Sequence, residues 1–436
     1  MLEEQLDCDL ERVELEPHGS SRSRALAKTH MSAGSLILSC EASTTVLLPE
    51  EKGRRCDACH MRSSVLQKCS VCASYFYCGP TCQVVQWQSH HKRICKRFNK
   101  YTSSLAFQAL APHEKLDAVL LSHLVAQLDG SLDSPSQSTR GIMSLLPGPV
   151  EPPLPPIVYT STRVAERVMR EMYSRFGNNN FVIHSHLNTF GHGIFPLASR
   201  LFNHSCLPNA AAKYILLPSH PPKLEVVALR DIAPDEEICL PYLDPALVQP
   251  RQQIFDLTYG FKCSCHSCLF FEKMGAIPGP PSDAAERDNL ARKLIQFIAT
   301  TPCDALTLQS AQFPPALLSV FHESFISSLA ETFRNASHDG SYALALDSGD
   351  VLLALYRLIY PPNYPQIGMH LLELAKTCWN SVVAQETDAV SERRKREKVW
   401  GYLTEAKAVL QILGPEGDED GPLVEINTLE NLLQGD

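Results

Sequence analysis

The chain carries, from Arg200 to Asn209, the sequence RLFNHSCLPN. Taken alone, an Asn-His-Ser-Cys run predicts only a polar turn, because short polar side chains hydrogen-bond to the nearby backbone. The run gains weight from two later stretches, EEICLPY at 236–242 and YGFKCSCHSC at 259–268. Together the three stretches bring an Asn-His pair, two tyrosines and several cysteines into one part of the chain.

The last of these stretches has the spacing of a metal site. The pattern Cys263-x-Cys265-x2-Cys268 offers three thiolates and leaves one position of a tetrahedral zinc site to be filled. Cys206, the thiol of the Asn-His-Ser-Cys run, is the obvious fourth donor and comes from a distant part of the chain. Such a site would hold the cysteine-rich segment against the Asn-His turn. The alternative, His266 as the fourth ligand of a local knuckle, would be crowded.

An earlier segment carries a denser set of metal-ligand residues. Seven cysteines and a histidine follow the pattern Cys56-x2-Cys59, Cys69-x2-Cys72, Cys78-x3-Cys82 and His91-x3-Cys95. A Cys-x2-Cys turn gives two thiolates to one ion without backbone strain, so this spacing predicts two tetrahedral zinc sites. Because the segment has too few apolar residues for a core of its own, we expect metal binding to supply its folding energy.

The choice of histidine in this segment depends on helix geometry. The second half is expected to end in a helix from Thr81 to Phe98. His91 and Cys95 are four residues apart and would point at one metal ion from a single turn. His90 is the competing ligand, and the i, i+4 spacing favours His91.

Composition sets the class of protein. With 436 residues the chain should hold about three domains, and 44% hydrophobic with 20% charged residues is typical of a soluble globular protein. No run approaches the roughly 18 apolar residues of a membrane helix, and the acidic N-terminus lacks the pattern of a secretory signal. The sixteen cysteines therefore indicate a reducing compartment, the cytosol or the nucleus, where clustered thiols are metal ligands.

The net charge of −9 is unevenly distributed. The stretch 53–100 carries nine Lys and Arg against one acidic residue, a net +8 that leaves −17 for the remainder. A basic finger could touch phosphates, and an acidic remainder could attract a lysine-rich peptide. Zinc-bound thiolates cancel much of the positive charge, which weakens the prediction of nucleic-acid binding.

Periodicity divides the chain into regions of different character. Short strands are expected over 11–48 and 180–242, and helices over 105–128 and 162–176. The stretch 129–156 is rich in Ser, Gly and Pro and predicts a surface loop with a polyproline portion. After Pro278 the pattern becomes a series of amphipathic helices with Leu- and Ala-rich faces.

Together these motifs closely resemble the SET domain of protein lysine methyltransferases, with its cysteine-rich post-SET segment. The eight-ligand cluster resembles a MYND finger, and the order of the parts is that of the SMYD family. The resemblance covers nearly the whole chain and is specific over 54–96 and 179–268. It implies an α+β multidomain fold: a β-rich SET domain split by the inserted finger, followed by an all-helical, TPR-like C-terminal domain.

The resemblance also implies domain bounds. It assigns 1–52 to the N-terminal part of the SET domain, 53–97 to the MYND finger, 98–180 to a helical SET insertion with a Pro-rich loop, 181–245 to the core SET, 246–275 to the post-SET zinc segment and 280–436 to the helical C-terminal domain.

The resemblance implies a role for individual residues as well. S-adenosylmethionine would be held by Arg24, Asn179, Asn203, His204, Tyr242 and Phe261, with Asn203 and His204 at the adenosyl group and ribose, Asn179 near the amino-acid end and Phe261 on the adenine. Tyr242 and Tyr259 would line the lysine channel and be catalytic. Burial in such a channel disfavours the charged form of lysine, and the neutral amine can then attack the sulfonium methyl. All three zinc ions would be structural.

One stretch departs from the family pattern. SET domains usually begin with a Gly-x-Gly type of turn near the methionine end of the cofactor, and this chain has Ser21-Arg22-Ser23-Arg24-Ala25-Leu26 there. Ser23 and Ala25 adopt positive φ less freely than glycine. Gly19 could supply the turn in a shifted register.

The function expected from these observations is S-adenosylmethionine-dependent methyl transfer to lysines of histone or non-histone proteins, in the nucleus and cytoplasm. The finger is expected to bind proline-rich peptides or, less favoured, DNA. The alternative is a catalytically weak SET and MYND scaffold that recruits partners to a transcriptional complex, which the altered glycine turn favours.

Overall fold

The computed structural model describes residues 10–17, 23–129, 137–159, 163–301, 303–384 and 389–435, without the side chains of 137–139. Within these ranges the strands are β1 Val13–Glu16, β2 Arg24–Ala27, β3 Leu36–Glu41, β4 Thr44–Leu47, β5 Gln67–Lys68, β6 Phe76–Tyr77, β7 Asn180–Ser185, β8 Asn188–Ile194, β9 Asn203–His204, β10 Ala210–Ile215, β11 Lys223–Ala228 and β12 Cys239–Leu240.

The described helices are α1 Pro80–Gln86, α2 Lys92–Thr102, α3 Leu105–Gln108, α4 Pro112–Asp129, α5 Gln137–Met143, α6 Glu166–Tyr173, α7 Phe176–Asn179, α8 Pro196–Leu201, α9 Arg251–Ile254, α10 His266–Met274, α11 Ala284–Thr300, α12 Glu323–His338, α13 Tyr342–Ile359, α14 Pro365–Val383, α15 Ala389–Leu413 and α16 Pro422–Gly435. Two turns are π-helical, Trp87–His91 and Phe255–Tyr259, and Pro49–Glu51 and Pro315–Phe321 are 3-10 helical. None of the described helices is both long and apolar enough to cross a membrane.

Small sheets form the β core of the molecule, which comprises β1–β4 and β7–β12. Two three-stranded antiparallel sheets have the orders β10-β11-β3 and β4-β8-β7, and β1 pairs with β2. The short strands β9 and β12 run parallel, so two segments distant in sequence lie side by side. This last pair positions the Asn-His turn.

Strand β11 shows why helices cover the β core. Leu224 and Val226 point to one face and are buried within the core between the sheets. On the other face, Val227 is buried in a cluster formed largely by the C-terminal helices. Burial on both faces requires a second layer, because side chains alternate along a strand. The region α11–α16, here called the helical region, supplies that layer.

The segment 53–97, here called the finger, shares a hydrophobic core with the helices that follow it. Tyr75 is wholly buried and its hydroxyl is 2.8 Å from His123 Nε2 on α4. Tyr75 of the finger and the adjoining Phe98 belong to the same buried cluster as Leu120 and Leu124 of α4. The finger is therefore stabilised by apolar packing as well as by its ligand residues, which the sequence pattern did not indicate.

Residues 413–418, the last residue of α15 and the first part of its connection to α16, hold the helical region on the β core and are called the bracket loop. Lys213 Nζ in β10 donates to the carbonyl oxygen of Leu413 at 2.6 Å, and the Gly417 N–H donates to that of Tyr214 at 2.8 Å. The Asp418 N–H donates to Ser185 Oγ at 2.9 Å. These bonds join the bracket loop to two strands of the β core.

The bracket loop also reaches the finger. The Asp418 carboxylate accepts two hydrogen bonds from the Arg55 guanidinium, at 2.6 and 2.9 Å. Arg55 is buried, also bonds Glu51 at 2.9 Å, and lies 4.1 Å above the ring of Phe190 in β8. One arginine thus joins the finger, the β core and the helical region.

Three expected elements differ in the structure. The helix expected over 105–128 is broken into α3 and α4, because Pro112 occupies the first position of α4 and cannot continue a preceding helix. The stretch 129–156, expected as a loop, contains α5. The expected helix over 162–176 is shorter, with α6 covering Glu166–Tyr173.

Candidate active site and metal centres

The Asn-His turn lies where two distant segments cross. Asn203 and His204 form β9 and pair in parallel with Cys239 and Leu240 of β12. The Asn203 amide nitrogen donates to the Ser23 carbonyl oxygen at 3.2 Å and to Glu237 Oε1 at 2.8 Å. Asn203 therefore ties the N-terminal segment to the crossing.

A second asparagine, to which the sequence analysis gave no role, holds the same crossing together. Asn209 is 3% exposed, and its Oδ1 accepts the Cys239 N–H at 2.9 Å. Its amide nitrogen donates to the Glu237 carbonyl oxygen at 2.9 Å and to Glu236 Oε1 at 3.0 Å. The only available signal was its position at the end of the RLFNHSCLPN stretch.

His204 connects the crossing with the nearest cysteine cluster. Its Nδ1 accepts the Tyr242 N–H at 3.0 Å, which places the proton of the neutral ring on Nε2. Nε2 lies 3.3 Å from Cys206 Sγ. Because both ring nitrogens are engaged inside the protein, the contact of His204 with a cofactor stays a prediction.

Four aromatic side chains pack together beside this turn, and we call this group the aromatic recess: Tyr242, Phe255, Tyr259 and Phe261. Phe255 is wholly buried and stacks on Phe261 at 5.1 Å between ring centroids. Tyr242 and Tyr259 lie 5.0 Å apart and, like Phe261, are half-buried. The sequence analysis missed Phe255, although its position four residues before Tyr259 puts both on one helical face.

The tyrosine hydroxyls of the recess are directed at backbone carbonyls. Tyr242 Oη donates to the Phe202 carbonyl oxygen at 2.7 Å, and Tyr259 Oη to that of Tyr242 at 3.5 Å. Burial, followed by the neighbouring Tyr242, raises the pKa of Tyr259 to about 12. Tyr259 is therefore a neutral hydroxyl at physiological pH.

The third cysteine cluster packs against the aromatic residues of the recess. The thiol sulfurs of Cys206, Cys263, Cys265 and Cys268 all lie within 4.8 Å of one another, and those of Cys206 and Cys268 are 3.6 Å apart. A zinc–sulfur bond of about 2.3 Å gives a tetrahedron with an edge of roughly 3.8 Å, so this donor set fits zinc. His266 Nε2 instead donates to the Leu308 carbonyl oxygen at 2.7 Å and lies outside the cluster.

The finger brings its ligand residues together in two groups. Each group has its donor atoms within 4.8 Å of one another, and the groups are Cys56, Cys59, Cys78 and Cys82, and Cys69, Cys72, His91 and Cys95. His91 Nε2 is 3.6 Å from Cys72 Sγ, whereas the His90 ring stacks on His123 at 4.1 Å. The hydrogen bond to Cys59 and burial raise the pKa of Cys56, so a thiolate there needs a compensating cation. Both groups fit tetrahedral zinc.

Arg24 lies next to the crossing, and part of its guanidinium group already pairs with another side chain. Its guanidinium forms an ion pair with Glu16 on the neighbouring strand β1, while its Nε is buried and has no hydrogen-bond partner in the described part of the chain. Ser23, the adjacent residue, accepts the bond from Asn203. Arg24 can therefore offer one donor to a ligand at this edge.

Asn179 is buried at the end of α7. Its amide nitrogen donates to the carbonyl oxygens of Arg175 at 2.8 Å and Leu146 at 2.9 Å. The side chain fastens the loop after α5 to α7, and its assignment to the cofactor stays a prediction.

The stretch that departs from the glycine pattern is extended where it is described. Arg24 and Ala25 lie in β2, and neither they nor Ser23 adopt positive φ. Ala25 is wholly buried, so the position demands a small side chain. Gly19 and the Ser21-Arg22 pair lie outside the described residues.

Comparison with known proteins matches a known family to the part of the chain that contains the crossing. A family model described as "SET domain" matches residues 25–243, half of the chain. N-lysine methyltransferase SMYD2 of Gallus gallus is 28% identical over 291 residues, which are 60% of this chain and 63% of that protein. SMYD2-B of Xenopus laevis is 28% identical over 302 residues, 63% of this chain and 67% of that protein.

A third relative, SMYD2 of Rattus norvegicus, is 29% identical over 304 residues, 63% of this chain and 65% of its own length. The chain thus spans less than two thirds of the Gallus gallus and Rattus norvegicus proteins. The chain belongs to the SET-domain family and, with its finger and helical region, to the SMYD family within it.

Proposed function

We propose that this chain is a protein-lysine N-methyltransferase that uses S-adenosylmethionine. The observation that carries the proposal is the aromatic recess, which lies beside the crossing of Asn203 and His204 and above a four-cysteine cluster. A half-buried wall of aromatic rings with hydroxyls and carbonyls at its edge suits an amine that must lose its charge.

The residues at the crossing support the assignment of S-adenosylmethionine as the cofactor. Arg24 Nε is a buried donor without a partner in the described chain, which fits the carboxylate of an amino-acid moiety. Phe261 is half-buried and offers a ring face to a purine. With Asn179, Asn203, His204 and Tyr242 these residues would hold S-adenosylmethionine, which supplies a methyl group on a sulfonium.

The recess would act on the lysine mainly by desolvation and orientation. Burial against Tyr242 and Tyr259 disfavours the ammonium, so its proton leaves to solvent before reaction. S-adenosylmethionine, when bound, would supply the methyl group to this neutral nitrogen, and its sulfur would leave as the thioether. The backbone carbonyl of Phe202 and the hydroxyls of the two tyrosines can orient the amine.

The substrate proposed is a lysine-bearing segment of a histone or another protein, lying between the β core and the helical region. Asp244 follows the recess and is exposed, and its Oδ1 accepts a hydrogen bond from Tyr360 Oη at the end of α13 at 2.9 Å. A carboxylate at this mouth favours a cationic side chain. The three clusters, with zinc, would have structural roles only.

The finger is proposed to bind proline-rich peptides rather than DNA. Val71, Val84, Val85 and Trp87 are large apolar side chains on its surface that remain exposed. An apolar patch of this kind suits a peptide, whereas binding to DNA would rest on basic charge alone. We also propose that the protein acts in the nucleus and cytoplasm, since its thiols need a reducing compartment.

The test is transfer of a radiolabelled methyl group from S-adenosylmethionine to a panel of histones and cell-extract proteins. Tyr242→Phe should lower turnover about 10- to 100-fold with cofactor affinity retained, because it removes one orienting hydroxyl. Asn203→Ala should weaken both, since it releases Ser23 and Glu237 at the crossing. Tyr356→Phe, a tyrosine of α13 outside the recess, is the matched control.

Two results would overturn the proposal. One is wild-type behaviour of both variants, which would show that the recess is not the site. The other is neither methyl transfer nor calorimetric cofactor binding by the zinc-loaded chain, which would support a SET and MYND scaffold that recruits partners.

A further inference from the structure

A cavity of about 350 Å³ lies between the β core and the helical region, and shares no residue with the aromatic recess. Its walls are the β7–β8 hairpin, the end of β10, helices α14 and α15, and the chain from Gly414 to Val424. Its volume is within the range of small-molecule sites. Most of the surface is apolar and includes Ile215, Met369 and Leu410.

Two buried polar atoms belong to residues that line this cavity. Glu416 is 8% exposed; one of its carboxylate oxygens accepts the His186 N–H, and the other, Oε2, is buried without a partner in the described chain. His184 also lines the cavity, and its Nδ1 is likewise buried without a partner there. Buried polar atoms are nearly always paired in folded proteins, so each of these two has bonding capacity left for a ligand or a water molecule.

The charge around the cavity decides which ligand fits. Glu416, Asp418 and Glu419 line it, and its described lining contains no lysine or arginine. Asp418 is paired with Arg55, and the buried Glu416 and the rim residue Glu419 are the other acidic groups of the lining.

Lys213, the cation that acts on Glu416, does not pair with its free carboxylate oxygen, because its ammonium group is bonded elsewhere. Lys213 Nζ donates to the carbonyl oxygens of Leu413 at 2.6 Å and Pro415 at 3.2 Å, and lies 3.5 Å from Glu225. Burial raises the pKa of Glu416 to about 7, with Lys213 opposing this and Asp418 adding to it. A cation beside Oε2 would lower the pKa of Glu416 again, because it favours the charged carboxylate.

We propose that the cavity binds a small organic cation, with an apolar body between the hairpin and helices α14 and α15 and a protonated amine on Glu416 Oε2. The apolar walls take the body, and the carboxylate selects the amine over an alcohol or an acid. Because both layers of the molecule line the cavity, such a ligand holds the helical region on the β core.

Three probes of one shape test the charge requirement: 4-phenylbutylamine, 4-phenylbutan-1-ol and 4-phenylbutanoate. Binding to the full zinc-loaded chain is followed by NMR of isotope-labelled methionine methyl groups, with the Met369 signal identified through Met369→Leu. We expect the amine to shift this signal with a dissociation constant of the order of 1 mM. The alcohol should bind at least about tenfold more weakly and the butanoate not at all, because only the amine carries a positive charge that pairs with the carboxylate.

Two matched variants separate this cavity from the aromatic recess, which an amine can also enter. Glu416→Gln keeps an acceptor for the His186 N–H but removes the charge, and should abolish the amine's advantage over the alcohol. Glu419→Gln makes the same charge change at the exposed rim and should keep that advantage to within about twofold.

Three results would overturn the proposal. They are equal binding of amine and alcohol, an amine response that leaves the Met369 signal unchanged, and an unchanged preference in Glu416→Gln.

Discussion

Two long-range connections hold distant parts of this molecule on its β core, and they are built from different chemistry. The third cysteine cluster joins Cys206 to the segment 263–268 through four thiols whose sulfurs lie within 4.8 Å of one another. The bracket loop joins the helical region to β7, β10 and the finger through backbone hydrogen bonds and the Arg55–Asp418 ion pair. The first packs against the aromatic recess, and the second lines the cavity.

The difference shows which contacts a sequence reveals. Thiols at metal-ligand spacing are rare in a reducing compartment unless they bind metal, so the cluster stands out in the chain. The bracket loop, with its Gly-Pro-Glu-Gly-Asp sequence, resembles any surface turn. Its hydrogen bonds depend on partners more than 190 residues away.

Breaking the cluster should have the largest effect. Cys206→Ser removes one of four ligands and releases the segment that carries Tyr259 and Phe261. We expect methyl transfer to fall at least about 100-fold, since small displacements of reacting groups have effects of that size. Metal analysis should show one zinc fewer per chain than in the wild type.

Cys239→Ser is the control for this experiment. Cys239 lies beside the crossing in β12 but outside all three clusters, so zinc content should not change. A full zinc complement in Cys206→Ser would contradict the four-thiol assignment.

In the bracket loop, Gly417→Ala should have the largest effect on stability. Gly417 has φ +45°, and a Cβ there would lie 2.6 Å from the Cβ of Ser185. We expect the free energy of unfolding, measured in urea, to fall by about 3 kcal/mol from the clash and the strained backbone.

Gly401→Ala provides the comparison for this variant. Gly401 lies within α15, and a Cβ at this position would have no neighbouring atom within 4 Å. Alanine there should be neutral or stabilising by up to about 1 kcal/mol, because it favours the helix more than glycine does. Equal effects of the two substitutions would show that the bracket loop is not tightly packed.

The charge of Glu416 should make the same loop sensitive to pH. Burial raises the pKa of Glu416 from 4.5 to about 7, so the folded state holds a proton that the unfolded state has lost. The free energy of unfolding contributed by this group therefore falls as pH rises from about 4.5 to 7.

Glu416→Gln removes this contribution. The unfolding free energy of the variant minus that of the wild type should therefore be about 2 kcal/mol larger at pH 8 than at pH 5. Urea unfolding of both chains at the two pH values measures the difference. A constant difference would mean that Glu416 is ionised throughout.

The smallest effect is expected at the ion pair of the bracket loop. Asp418→Asn keeps the side-chain shape but removes the charge that faces Arg55, and should lower the free energy of unfolding by about 1 kcal/mol. Hydrogen exchange should increase locally in the hairpin at Ser185.

Asp420→Asn makes the same change at an exposed position of the same connection and should have no measurable effect. Slow exchange at Ser185 in both variants would indicate that the ion pair contributes nothing to holding the loop.

The sequence was sufficient for much of the architecture. The α+β fold class and the SMYD assignment were confirmed, because they depend on motifs whose residue types and spacing are local. It failed where the prediction followed periodicity or composition alone. Pro112 divides a helix that periodicity predicted as continuous, and α5 forms in a stretch whose composition indicated a loop.

At the candidate site the same limit applies to single residues. Phe255 and Asn209 lacked a distinctive pattern, yet the structure gives one the floor of the recess and the other the crossing. Spacing favoured His91 over His90, and the structure adds that the His90 ring packs on α4 instead.

By itself, the sequence predicted the eight ligand residues of the finger and named Cys206 as the fourth donor beside Cys263, Cys265 and Cys268. Metal-ligand residue types and their short spacing can be recognised without knowledge of the fold. Only the tertiary structure decided how the eight ligand residues of the finger divide into two groups, that Asn209 holds the crossing, and that the bracket loop, with Glu416, lines a cavity. The physical reason is that these contacts form between side chains far apart in the chain, where burial and distance are set by the packing of whole layers.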